Sequence, residues 1–241
     1  MNTTSSTATR LYLLQLALGG EGTPVPGYLI QTSDGKNILV DTGVPLDGSF
    51  TPNGGHEMQV FSVVEQLATI GLTPQDIDIL VCTHFDPDHA GNHDAFLSSE
   101  LVVQRAHYDF ARASASPRFQ LTRAHWDHPA LRYRFVEGDT ELVPGVELIE
   151  SSGHVPGHQA VLVHLPETGT VLLAIDAAAM ADDLDPATRA FENGVDLDPA
   201  QALESARKLF KLAQTAGVTL TVFGHDEQQW PTLKKAPAYY A

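Results

Sequence analysis

The chain has a single cysteine, few basic residues and no long hydrophobic run, and each of these shortages narrows what it can be. Cys82 alone cannot form a disulfide within the chain, so the sequence suits a reducing compartment and predicts a cytoplasmic protein. The 14 Lys and Arg against 30 Asp and Glu give a formal net charge of -16, which disfavours nucleic acid and anionic membranes as partners.

Nothing in the composition divides the chain into several units. Its 241 residues, 43% of them hydrophobic, are enough for one domain with a large core. The Ser/Thr-rich start predicts a frayed or disordered N-terminus over residues 1–10, followed by one hydrolase-like domain over residues 11–241. The apolar residues 11–18 are too short and too poorly flanked for a signal peptide, so we interpret them as a first strand.

The most informative segment is the turn at residues 83–92, which directly follows the apolar residues 79–82. It reads T-H-F-D-P-D-H-A-G-N and holds four potential metal ligands within six residues: His84, Asp86, Asp88 and His89. Such a turn presents imidazoles and carboxylates from one short loop, which suits a pair of divalent cations and metal-assisted hydrolysis. A solvated acidic turn shaped by Pro87 is the alternative interpretation.

Three later segments also place a metal-ligand side chain next to an apolar stretch. The first contains G-H-V-P-G-H with His154, the second ends in Asp176, and the third is G-H-D around His225. In α/β folds the carboxyl ends of strands meet at one edge of the sheet, where active sites form. The pattern therefore favours a metal site over a solvated turn.

An H-x-D-x-D-H turn followed by G-H-x-P-G-H, a strand-ending Asp and G-H-D resembles the metallo-beta-lactamase superfamily. Shorter segments resemble its quorum-quenching N-acyl homoserine lactonase branch, and they lie at residues 40–43, 103–105, 136–139, 143–146, 174–177 and 223–226. The resemblance extends over about residues 11–240. It implies an α/β fold, the four-layer αββα sandwich, with the metals at one edge of its two sheets.

The periodicity of the apolar residues agrees with that fold. It predicts strands at residues 11–18, 28–31 and 38–40, with S-D-G-K at 33–36 as a hairpin turn. A helix is predicted over residues 60–72, where Gly71 and Pro74 are stop signals. Another is predicted to open at Asp198 and to end near Gly217, with its apolar residues on one face.

The resemblance also implies how two divalent metal ions are held. One ion takes His84, Asp86 and His154, the other takes Asp88, His89 and His225, and Asp176 bridges them. Zinc is the first expectation, with manganese, iron and cobalt as alternatives. A hydroxide bridging the ions attacks an ester carbonyl in this scheme, and Asp88 passes the proton to the departing alkoxide.

Two positions depart from the lactonase pattern. Asp86 stands where histidine is usual, which adds a negative charge to the first site and brings harder ions into consideration beside zinc. The alternative is that Asp86 points away and the first site is weak or empty. Ala179 stands where lactonases of this branch have a tyrosine that contacts the substrate carbonyl. Either the metal alone polarises the carbonyl, or another side chain such as Tyr108 replaces the tyrosine.

Further candidate residues surround this set. Asp41 is expected near the metals, hydrogen-bonded to a ligand or its loop, and His158 is expected either to orient a ligand or to form a structural hydrogen bond. Phe50, Phe61 and Tyr108 are candidates for the substrate pocket.

Access to the site is expected to depend on loops. The Gly- and Pro-rich stretches 19–27 and 45–61 are candidates to shape it, and His107, His125 and His128 lie in a segment expected at the substrate entrance.

The sequence thus predicts a dinuclear metal-dependent hydrolase that opens lactones, with N-acyl homoserine lactones as the first expectation. A hydrolase of another lactone or ester is the close alternative. A di-iron oxidoreductase and a metal-binding protein without catalysis remain as hypotheses of other classes. Related lactonases suggest a homodimer.

Overall fold

The computed structural model describes residues 7–50, 58–189 and 195–241, whose strands form two mixed sheets. The first sheet has the order β4-β1-β2-β3-β5-β6-β7. Its strands are β1 (Ala8–Leu18), β2 (Pro24–Thr32), β3 (Asn37–Val40), β4 (Gln59–Val60), β5 (Ile79–Val81), β6 (Glu100–Gln104) and β7 (Arg132–Val136). Strands β3, β5, β6 and β7 run parallel, so their carboxyl ends lie along one edge.

The second sheet has the order β12-β11-β10-β9-β8. Its strands are β8 (Thr140–Val143), β9 (Val146–Glu150), β10 (Gln159–Leu165), β11 (Gly169–Ile175) and β12 (Val218–Phe223). Strands β11 and β12 are parallel, whereas the other pairs are antiparallel. The carboxyl ends of β11 and β12 therefore lie side by side.

Helices cover the outer faces of both sheets. They are α1 (Val63–Ala68), α2 (Arg105–Ala113), α3 (Pro117–Gln120), α4 (Arg123–Trp126), α5 (Ala181–Leu184) and α6 (Pro199–Thr215). Short 3-10 helices lie at Gly20–Gly22, Pro74–Asp76, His93–Ala95 and Trp230–Thr232. None of the described helices combines the length and apolarity required to cross a lipid bilayer.

Alternation along the strands divides the core into layers. In β1, Leu11 and Leu13 face the second sheet and pack in one cluster with residues such as Val161, whereas Leu14 and Leu16 face the helices on the other side. A third cluster joins the outer face of the second sheet to Leu209 of α6. Because the side chains of a strand alternate between faces, each sheet contributes to two clusters. The predicted single-domain, four-layer αββα sandwich is confirmed.

Local predictions need three corrections. Strand β1 begins at Ala8, so residues 8–10 belong to the sheet and not to a frayed segment over 1–10; residues 1–6 lie outside the described part. The helix predicted over 60–72 is only α1, because Ser62 caps its start and Gly71 turns the chain at a φ of 79°. Most of the predicted loop 19–27 is strand β2 and a 3-10 turn. Helix α6 and the 33–36 hairpin are confirmed.

A close backbone approach joins the two turns that follow β3 and β5. The amide of Gly91 donates to the carbonyl of Gly43 at 2.9 Å. A Cβ atom at position 91 would lie 2.2 Å from the nitrogen of Pro45 and 2.5 Å from the oxygen of Gly43. Only glycine fits there without moving backbone.

We predict that Gly91→Ala lowers the free energy of unfolding by about 3 kcal/mol, because the backbone of a packed turn must move. Gly19→Ala is the matched control, since its added Cβ would meet nothing nearer than 3.6 Å. Urea unfolding followed by circular dichroism measures both. Equal unfolding midpoints for the two variants would contradict the assigned contact.

Candidate metal centre

Imidazoles and carboxylates from both sheets meet at one edge of the sandwich. The turn with His84 and His89 follows β5, and His154 lies in the connection between β9 and β10. Asp176 directly follows β11, and His225 lies shortly after the end of the parallel strand β12. The topology therefore brings together side chains that are up to 141 positions apart in the sequence, from His84 to His225.

The first cluster consists of His84, Asp86, His154 and Asp176, all buried. Asp86 Oδ2 lies 3.3 Å from His84 Nε2 and 3.1 Å from His154 Nε2. Asp176 Oδ2 lies 3.6 Å from the same nitrogen of His84 and 3.3 Å from that of His154. Asp86 therefore points into the cluster, and the alternative that it points away is wrong.

The second cluster consists of Asp88, His89 and His225, with Asp176 beside it. Asp88 Oδ2 lies 3.6 Å from His89 Nε2 and 3.7 Å from His225 Nε2. Asp176 Oδ1 lies 3.3 Å and 3.2 Å from these two nitrogens. One oxygen of Asp176 thus faces each cluster.

These spacings match those around a bound ion. A tetrahedral ion with bonds of about 2.0 to 2.2 Å to nitrogen and oxygen holds neighbouring ligand atoms roughly 3.3 to 3.6 Å apart. The pairs in both clusters are 3.1 to 3.7 Å apart. The donor set of imidazoles and carboxylates also suits first-row divalent metals. The residues present therefore fit two metal ions that share Asp176.

The outer nitrogens of the histidines fix how the rings face. His89 Nδ1 lies 2.9 Å from Asp41 Oδ2, and His225 Nδ1 lies 2.8 Å from the carbonyl oxygen of Pro24. His84 Nδ1 lies 3.0 Å from Thr83 Oγ1, whose hydroxyl donates to Asp41 at 2.6 Å. Because each Nδ1 has an acceptor or hydroxyl partner, each Nε2 is directed inward. Asp41 has the expected place beside the site.

Several inward atoms are buried without a hydrogen-bond partner among the described residues. They are His84 Nε2, His89 Nε2 and Asp176 Oδ1. Buried polar atoms are normally paired, so unpaired atoms that converge on one point need an explanation. A metal ion, which accepts their lone pairs, supplies one.

The carboxylates make this edge favourable for positive charge. Burial opposes protonation of His154, but hydrogen bonds and charge from Asp196, Asp86 and Asp176 outweigh it and raise the pKa of this imidazole to about 9. Burial also opposes protonation of His225, where Asp176 and Asp88 outweigh it and raise the pKa to about 9. Burial likewise opposes ionisation of Asp176, yet the surrounding histidines hold its pKa well below the usual range. The site thus attracts cations, either protons or metal ions.

Two buried histidines support the ligands from behind. His107 Nε2 accepts from the amide of Phe85 and Nδ1 lies 2.8 Å from the carbonyl oxygen of Pro156, so this ring joins the ligand turn to the His154 loop. Burial lowers the pKa of His107 to about 3, which keeps the ring neutral, as this donor and acceptor pair requires. It is fully buried and does not line an entrance.

His158 takes a supporting place of the same kind. Its Nδ1 lies 2.9 Å from Ser151 Oγ, and its ring centre is 5.0 Å from that of His84. Burial holds its pKa well below the ordinary value. His158 therefore packs behind a ligand histidine as a neutral ring.

Sequence reasoning missed Arg118 and Asp196. Arg118 pairs with Asp86 at 2.6 Å, and Asp196 Oδ1 lies 3.4 Å from His154 Nδ1. Neither residue lies near its partner in the sequence, so no local motif could have revealed the contacts.

A cavity of about 670 Å³ opens beside the ligands His154, Asp176 and His225. Ala179, Met180 and Val195 are among the other residues that line it. None of the predicted pocket residues Phe50, Phe61 and Tyr108 lines this cavity, and Tyr108 packs instead against Tyr133 and Phe135. Residues 51–57 of the predicted access loop 45–61 lie outside the described part of the chain.

Comparison with known proteins agrees with the motifs. The metallo-beta-lactamase superfamily matches residues 20–225. An N-acyl homoserine lactonase from a Bacillus species is 33% identical over 233 residues, which cover 90% of this chain and 86% of that protein. The lactonase AttM from Azorhizobium caulinodans is 32% identical over 237 residues, covering 90% of this chain and 87% of that protein.

Solved structures agree as well. An N-acyl homoserine lactone hydrolase with the product N-hexanoyl-L-homoserine bound at its catalytic metal centre superimposes with a TM-score of 0.83. It is 28% identical, and the match covers 97% of this chain and all of that one. On the family match and the extent of these relatives, the chain belongs to the metallo-beta-lactamase superfamily and, within it, to the family of N-acyl homoserine lactonases.

Proposed function

We propose that the protein is a dinuclear metal-dependent lactonase that hydrolyses the ester bond of N-acyl homoserine lactones. The observation that carries the proposal is the convergence of seven ligand-type side chains on two points that share Asp176. The relatives named as lactonases match nearly the whole length of this chain, which supports the same substrate class.

In this proposal His84, Asp86 and His154 hold one ion, whereas Asp88, His89 and His225 hold the other. Asp176 would be the carboxylate that both ions share. Bound divalent ions supply a Lewis acid for the ester carbonyl and lower the pKa of a nucleophilic water. Zinc suits the four imidazoles, and the three carboxylates also accept manganese, iron or cobalt.

Asp88 is the carboxylate best placed to move a proton. Its side chain is 24% exposed, against 11% for Asp86 and 7% for Asp176. As the most exposed of the three carboxylates, Asp88 would take a proton from the attacking water and deliver it to the departing alkoxide of the opened ring. Asp41 and Thr83 hold the rings of His89 and His84 in place meanwhile.

The residues that line the cavity support a second candidate function, the hydrolysis of another lactone or ester. Met180 and Val195 offer apolar contact to an acyl chain, but Asp182, Asp183 and Glu227 also line the cavity, and Ala179 brings no hydroxyl to a substrate carbonyl. These acidic side chains favour hydrolysis of a smaller or more polar lactone or ester. The cytoplasmic location and the homodimer stay predictions from the sequence.

Elemental analysis and a pH-indicator assay test the proposal together. We predict about two divalent ions per chain and rapid acid release from short- and long-chain homoserine lactones, with slower release from simple γ-lactones. Two ions with turnover of other esters but not of homoserine lactones would favour the second candidate. Fewer than two ions would contradict the dinuclear assignment.

Substitution of the shared ligand is the second test. Asp176→Ala should lower metal affinity more than about a hundredfold, beyond the 10- to 100-fold loss that follows removal of an outer partner of a ligand, and abolish turnover. Asp182→Ala, which changes a carboxylate of the cavity wall outside both clusters, is the matched control. Full metal content and turnover in the Asp176 variant would exclude it as the bridge.

Proton transfer by Asp88 gives the third test. Asp88→Asn keeps an oxygen ligand but carries no proton, so kcat for an oxygen lactone should fall by about 10²- to 10⁴-fold. A thiolactone, whose thiolate leaves with less need of a proton, should lose much less. An equal loss for both substrates, at unchanged metal content, means that Asp88 does not transfer the proton.

A further inference from the structure

Asp86 has a cationic partner that no motif of the chain indicates. Arg118 Nε lies 2.6 Å from Asp86 Oδ1, and Nη2 lies 2.6 Å from Oδ2. Both groups are largely buried, with 18% of the Arg118 side chain and 11% of the Asp86 side chain exposed. Two parallel charge-assisted bonds of this kind fix a carboxylate in orientation as well as in charge.

The pairing leaves the two oxygens of Asp86 in different surroundings. Among the residues that the structure describes, Oδ1 contacts only Arg118 Nε, whereas Oδ2 accepts from Arg118 Nη2 and also lies within 3.3 Å of His84 Nε2 and His154 Nε2. A carboxylate gripped in this way offers one oxygen to the first site. Asp86 is thereby held as a ligand through Oδ2 at a distance that matches its neighbours.

The pairing also changes the charge of the centre. Asp86, Asp88 and Asp176 contribute three negative charges. Among the residues that the structure describes, Arg118 is the only Lys or Arg that forms an ion pair with any of them. Its positive charge offsets the carboxylate that Asp86 adds to the first site.

Arg118 is itself held by the chain around it. It lies in α3, whose first turn is capped by Ser116, and its Nη1 donates to the carbonyl oxygen of Val195 at 3.0 Å. Its Nη2 also lies 2.6 Å from His154 Nε2, the ring nitrogen assigned to the first ion, so this one contact has to open when the ion binds. These anchors place it at the first site and not in open solvent.

We propose that Arg118 is a positioning residue of the metal centre, which orients Asp86 as a one-oxygen ligand of the first ion and balances its charge. The inference rests on the proposed dinuclear function. In this role Arg118, which is not itself a ligand, allows the Asp86 carboxylate to bind the first ion. Consequently, the metal affinity of the first site depends on Arg118, whereas the metal affinity of the second site does not.

The test is a chelator-competition titration of the full chain with Zn²⁺ and with Mn²⁺, which resolves two dissociation constants. Arg118→Met should weaken one site by about 10- to 100-fold and leave the other within about twofold, as for the loss of an outer partner of a ligand. Arg118→Lys should fall between, because a lysine restores the charge but not the two-pronged geometry.

Arg123→Met is the matched control, since Arg123 pairs with Asp127 and not with the ligands. Circular dichroism of each metal-free variant checks that it folds. If Arg118→Met does not fold, the titration of Arg118→Lys tests the inference.

A double substitution tests whether Arg118 acts through Asp86. Asp86→His alone leaves a buried guanidinium against an imidazole and should weaken the first site. Adding Arg118→Met should recover at least about tenfold of that loss, because the unpaired charge is then removed. No recovery would mean that the two residues act independently and would overturn the inference.

Two results of the single substitution also overturn it. Unchanged affinity in Arg118→Met means that the pair is merely structural, and tighter binding means that the guanidinium competes with the ion for His154. Wild-type protein that binds fewer than two ions instead overturns the proposed dinuclear function itself. The two failures are therefore distinguishable.

Discussion

The arrangement of this edge depends on one buried carboxylate that four imidazoles share. Asp176 is 7% exposed, and an ionised carboxylate at that depth is costly unless cations or donors surround it. His84 and His154 lie nearer Oδ2, whereas His89 and His225 lie beside Oδ1. The parallel pairing of β11 with β12 and of β3 with β5 provides this, because it brings the strand ends to a single edge. The other residues of the site serve to orient these four imidazole rings toward Asp176.

Backbone strain accompanies this convergence. Ile175, immediately before Asp176, has a φ of 52°, and Asp41 has a φ of 59°. A β-branched residue rarely adopts this conformation, and such strain persists only where the surroundings impose it. Part of the constraint is steric, since a Cβ at Gly224 would lie 2.7 Å from the oxygen of Ile175. The strained bends turn the two carboxylates out of their strands, one toward the ligands and the other toward the rings that it orients.

The ligand-type residues could be predicted because they lie in local motifs, and the fold could be predicted because those motifs resemble a known superfamily and the apolar periodicity agrees with it. Apolar strands followed by His or Asp mark the sheet edge, and the helical spacing from Leu203 to Ala213 marks α6. The contact of Arg118 with Asp86 could not be predicted from the sequence, because the two residues are 32 positions apart and meet only through the packing of α3. The short α1 was mispredicted because its cap at Ser62 lies inside a longer apolar pattern. The pocket prediction for Phe50, Phe61 and Tyr108 rested only on their being aromatic. The sequence alone does not distinguish an aromatic residue that lines a pocket from one that packs in the core.

Specificity and metal binding are physically coupled in this fold. Val195 and Asp196 line the cavity and also reach the surroundings of the first cluster. The Val195 carbonyl accepts from Arg118, which is the partner of Asp86, and Asp196 lies beside His154. Asp196 is in turn paired with Arg189 at 2.9 Å, which also lines the cavity. A change in the cavity wall that suits a different acyl group therefore shifts partners of Asp86 and His154. Substrate range in this chain is constrained by the need to keep both sites intact, because His225 of the second cluster and the shared Asp176 line the same cavity as His154.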